Sequence, residues 1–127
     1  MKRLLLHLIL PALVAGGAFW YGRRVEMSAV DAFVVYGVLG FMYYSAPHLL
    51  WAVITILSRA PGAICHAGFI AANLALIAIV LFSLTGARDP SGLPLQWVAY
   101  WPGAIFLQAL FVAVTAAFRY SNSRVGA

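Results

Sequence analysis

With 65% hydrophobic and only 9% charged residues, this 127-residue chain cannot be an ordinary soluble domain, where about a quarter of the residues carry charge. The net charge of +5 does not make a nucleic-acid surface, because the basic residues punctuate the ends of apolar runs instead of gathering with aromatic residues. The single cysteine, Cys65, excludes an intrachain disulfide and reads as a small packing residue within an apolar run.

The chain opens with Met1-Lys2-Arg3, an apolar run from Leu4 to Val14 and the small residues Ala15-Gly16-Gly17-Ala18, the layout of a secretory signal peptide. Apolar character then continues through Phe19-Trp20-Tyr21, so the stretch is long enough to span a bilayer and predicts a first transmembrane helix over 2–22. Pro11 should kink it by removing one backbone hydrogen bond. Trp20 and Tyr21 suit the far interface.

A short connector follows, and Ser28-Ala29-Val30-Asp31 then fits a capping box: Ser28 accepts from early amides and Asp31 reaches back. The second helix is expected over 29–57. That is longer than a perpendicular span needs, so tilt or a bend must absorb the excess, with Pro47 as the candidate bend. Ser58-Arg59-Ala60-Pro61-Gly62 is short enough to require an antiparallel neighbour, a third helix over 63–85. On it Ala63, Ala67, Ala71 and Ala75 recur every fourth residue, a seam that lets helix backbones approach closely. The loop 86–96 is rich in turn formers. A fourth helix is expected over 97–118, with Pro102 tolerated in its first turn and a second seam at Ala109, Ala113 and Ala117. Residues 119–127 form a polar tail.

The expected fold is therefore all-α: an integral membrane protein with four transmembrane helices in an up-down bundle, a single membrane domain over 1–127. Lys2, Arg3, Arg59, Arg119 and Arg124 lie on one side and Arg23, Arg24 and Arg88 on the other. This imbalance places both termini on the cytoplasmic side, in a bacterial inner membrane. Glu26, Asp31 and Asp89, the only acids, all fall on the opposite side, where they cancel the bases.

No Asp, Glu, Lys or Arg falls deep in any helix, which removes the embedded carboxylate that proton-coupled transporters commonly use. The remaining polar groups are His7, His48, His66, Asn73, Gln108 and several hydroxyls. Tyr44, His48, Trp51 and Thr55 recur at steps of four, three and four and share one helix face. They read either as a wall of a lipid, quinone or small-molecule cavity or as a packing face against neighbouring helices. Folding the chain about the 58–62 turn puts His48 level with Asn73 and Thr55 level with His66. The two histidines are then staggered by roughly 10 Å along the membrane normal at 1.5 Å per residue. That is awkward for one haem held by His48 and His66, and it favours His48 with Asn73 and His66 with Thr55 as interhelical hydrogen-bonded pairs. A site shared by His7 and His66 near the inner surface is conceivable, but no third ligand, cysteine pair or haem-attachment motif accompanies it. Metal and cofactor are therefore expected to be absent, with haem b as the alternative.

No phosphate-binding glycine loop is present, and no nucleophile lies beside a base. The expectation is a non-catalytic small multi-pass protein, a subunit, accessory or regulatory or immunity partner of a larger membrane assembly. Its partners would be the lipid bilayer and a membrane protein or further copies of itself, with no nucleic acid. Alternatives are a redox anchor binding haem or quinone, and a small-molecule or lipid transporter working as an oligomer.

Overall fold

In a computed structural model of the chain, residues 2–24, 28–85 and 98–125 are described, and among them every regular element is helical. We label the helices α1 (Lys2–Arg24), α2 (Ala29–Leu57), α3 (Gly62–Thr85) and α4 (Tyr100–Val125). Three stretches, Ala29–Leu57, Gly62–Leu84 and Tyr100–Arg124, are long and apolar enough to cross a membrane. The apolar stretch of α1, Leu5–Tyr21, is shorter. Large exposed Leu, Ile, Val, Met or aromatic side chains occur along all four helices, as expected where lipid replaces water.

The chain divides into two compact units, Met1–Ala52 and Val53–Ala127. In the first, α1 runs unbroken through Pro11, whose ring is buried. Phe19 of α1 meets Phe33 edge-on, with ring centroids 6.3 Å apart, and near its end the Arg24 guanidinium lies 5.7 Å from the Trp20 ring. The cap of α2 forms as expected: the Ser28 hydroxyl accepts from the Asp31 amide at 3.1 Å and donates to the Asp31 carboxylate at 2.6 Å. The closing bond of the box is thus side chain to side chain.

The excess length of α2 meets an irregularity away from Pro47. Phe33–Leu39 is a π-helix, flanked by α-helical Ala29–Ala32 and Gly40–Leu57, and Pro47 sits buried inside the latter. The reason is local. Phe33, Val34, Val35, Tyr36, Gly37 and Val38 all have weak α-helix propensity, so widening the turn forfeits little there. Gly40 closes the segment, its N–H directed to the carbonyls of Val35 and Gly37.

In the second unit, α2 ends in a Schellman turn. Ala60 donates to the Thr55 carbonyl at 3.2 Å and Arg59 to Ile56 at 3.4 Å. Arg59 occupies the left-handed position, at φ 49°, that glycine usually fills. Pro61 and Gly62 then start α3, and α3 packs along α4. Helix α4 continues through 119–125, most of the stretch expected to be a tail, and the Arg124 guanidinium lies over the Tyr120 ring at 4.6 Å. The expected loop 86–96 and residue 97, the expected start of the fourth helix, lie outside the described residues.

Candidate functional site

Of the six candidate ligand residues, Tyr44, His48 and Trp51 belong to the first unit and Thr55, His66 and Asn73 to the second. On α2, Tyr44 and His48 are buried, with His48 at 0% exposure, while Trp51 and Thr55 are half-buried. Ser45 beside them is buried, and its hydroxyl donates to the Met42 carbonyl at 3.2 Å. Gly40, one turn before Tyr44, makes room for this face. A Cβ there would come within 3.3 Å of the Tyr44 ring, which is also flanked by Tyr43 at a centroid distance of 5.8 Å.

The polar groups of α3 bond along their own helix. The His66 ring donates from Nδ1 to the Gly62 carbonyl at 2.6 Å, and the Asn73 amide donates to the Phe69 carbonyl at 2.8 Å. Ser83 does the same to Ile79 at 2.8 Å. Each of these side chains is thus bonded to a carbonyl of its own helix. A carbonyl one turn back is always within reach, and using it satisfies the side chain without requiring a second helix at the right depth.

His7, considered above with His66, meets a different histidine. His7 of α1 and His48 of α2 approach with ring centroids 6.5 Å apart and planes at 76°. Folding the first hairpin about residue 26 would have signalled this. It puts residue 7 level with residue 45, within one helical turn of His48.

The small-residue seams part company. On α3, Ala67, Ala71 and Ala75 are buried and only Ala63, at the helix start, is exposed. On α4, Ala109, Ala113 and Ala117 are exposed. The buried face of α4 is instead Tyr100, Ala104 and Gln108, the last at 4% exposure. That stripe is offset by one residue, about 100° around the helix, from the alanine seam. Chemistry decides between the two faces. Alanine methyl groups lose nothing in lipid, whereas the Gln108 amide and Tyr100 hydroxyl are costly there and turn inward.

Between α3 and α4 lies an open apolar pocket of about 300 Å³, lined by Ala75, Ala78, Ile79, Phe82, Ala99, Tyr100, Gly103, Ala104 and Leu107. Its walls suit a hydrocarbon chain, and all of them belong to the second unit, whereas the Tyr44–His48 face belongs to the first. Among the described residues no three His, Cys, Asp or Glu side chains gather into a metal-binding cluster. Compared with known proteins, the chain matches no family, no curated protein and no solved structure.

Proposed function

We propose that the protein is a non-catalytic, four-span inner-membrane component that docks into a larger membrane assembly as a subunit or regulatory partner. The observation that carries this reading is the exposed seam Ala109, Ala113 and Ala117 on α4. Small residues at four-residue spacing are a recurrent means by which membrane helices approach one another, and among the described residues these are exposed. Gly16 and Gly17 on α1 support the same reading, since a Cβ at either would meet nothing within 4 Å. In this reading all four helices cross the bilayer, and the basic excess at 2–3, 59 and 119–124 holds both termini in the cytoplasm.

Affinity purification of the tagged chain in mild detergent tests it. A membrane protein should co-purify with the native chain and be lost with Ala113→Leu, which fills the seam while leaving the buried face of α4 untouched. Recovery of the native chain as a lone monomer from several detergents would overturn the proposal.

A further inference from the structure

We propose that the end of the second unit where α2 turns into α3 and α4 finishes binds the headgroups of anionic phospholipids. The pocket between α3 and α4 runs from Ala75 to Phe82 on one helix and from Leu107 back to Ala99 on the other, an antiparallel register. Carried along both helices at about 1.5 Å per residue, that register sets Gly62 level with Arg119. Arg59, exposed in the turn before Gly62, therefore lies at the depth of the last turns of α4, where Arg119 and Arg124 are also exposed. From Arg119 to Arg124 the helix rises about 8 Å, close to the roughly 5–8 Å thickness of the polar layer on each side of a bilayer. The edge of the hydrocarbon core falls at the same place. Large exposed apolar side chains stop at Leu57 on α2 and at Phe118 and Tyr120 on α4. Tyr100 to Arg119 spans about 29 Å, one hydrocarbon core.

Charge names the occupant. Among the described residues of the second unit there is no Asp or Glu, and its one acid in the sequence, Asp89, follows the opposite end of α3. Arg59, Arg119 and Arg124 therefore put uncompensated positive side-chain charge in the headgroup layer, where the phosphates of anionic lipids answer it and zwitterionic headgroups, with no net charge, do so poorly. Two details show these cations held in place. Arg59 keeps its side chain at φ 49°, a position whose steric cost glycine would avoid. The Arg124 guanidinium lies 4.6 Å from the Tyr120 ring centroid and donates to the Tyr120 hydroxyl. That bond fixes the fork and leaves further N–H donors for phosphate oxygens.

The test places the full chain in phosphatidylcholine bilayers and compares its association with spin-labelled phosphatidylglycerol and spin-labelled phosphatidylcholine. At low salt the native chain should prefer phosphatidylglycerol by about fivefold, and 1 M salt, where the Debye length is about 3 Å, should abolish most of that preference. Combining Arg59→Gln, Arg119→Gln and Arg124→Gln should bring the preference to within about twofold of unity while the helical circular dichroism stays native. The matching triple change to lysine, which keeps the charge, should retain most of it. Arg23→Gln with Arg24→Gln, at the end of α1 in the first unit, should retain most of it as well. Inorganic phosphate added at constant ionic strength should leave the preference unchanged; displacement by it would make this a site for the free anion and overturn the lipid assignment. The proposal is equally overturned by equal association of the two lipids with the native chain, by a native preference in the triple glutamine variant, or by its loss in the triple lysine or the Arg23–Arg24 variant.

Discussion

Two residues show how local chemistry fixes where the helices start and stop. Ser28 holds the Asp31 amide and carboxylate together at the mouth of α2. Ser28→Ala should cost about 1 kcal/mol, raising hydrogen exchange at the Asp31 amide about fivefold, and Ser28→Asp should restore most of the protection. Arg59 bears the steric cost of a left-handed residue, about 1–2 kcal/mol for a side chain with a Cβ, to complete the Schellman turn. Arg59→Gly should therefore stabilise the protein by up to about 1 kcal/mol, and Arg59→Val should destabilise it, both read from reversible unfolding in detergent. The native arginine also supplies one of the positive charges on the cytoplasmic side of the proposed topology, a reason for this position to depart from glycine.

At the level of elements, the π segment and the α3 seam make opposite demands on small residues. A methyl group added at Gly37 would make only ordinary contact with the Phe33 ring, at 3.5 Å, whereas one added at Gly40 would crowd the enclosed Tyr44 ring at 3.3 Å. Gly37→Ala should be tolerated, with a gain in α propensity of up to about 1 kcal/mol, and Gly40→Ala should destabilise the first unit. Thermal melting in detergent, followed by circular dichroism, separates the two. On α3, Ala71 is wholly buried. Ala71→Leu forces extra volume into a packed seam and should cost about 1–3 kcal/mol, in contrast to a leucine in the exposed seam of α4, which should leave the melting temperature near native.

For the whole molecule, the number of crossings decides the topology. Three described helices are long and apolar enough to cross a membrane, and the shorter apolar stretch Leu5–Tyr21, about 26 Å long at 1.5 Å per residue, falls just below the roughly 30 Å hydrocarbon core. In the proposed four-span topology, slight thinning of the bilayer or snorkelling of Arg23 and Arg24 would accommodate that difference. Four crossings put both termini on one side, and three put them on opposite sides. A reporter that is active only outside the cytoplasm should be silent when fused after Ala127 and active when fused after Thr85. The reverse pattern, silent after Thr85 and active after Ala127, would mean that α1 stays on the cytoplasmic side without crossing.

Composition and periodicity by themselves determined that this is a helical chain with bilayer-length apolar spans. They located the ends of α2 and α3 closely, because caps, turn formers and apolar run length are local properties. The alanine repeats were equally visible, but a repeat says only that a face is smooth. Which smooth face is covered was decided in three dimensions, where the α3 seam is buried and the α4 seam gives way to Tyr100, Ala104 and Gln108. Likewise the sequence placed three histidines on apolar helices, and depth matching across the second hairpin suggested partners one hairpin too late. Only the tertiary structure brought His7 to His48, because side-chain pairing depends on the rotation and spacing of two helices as well as on depth.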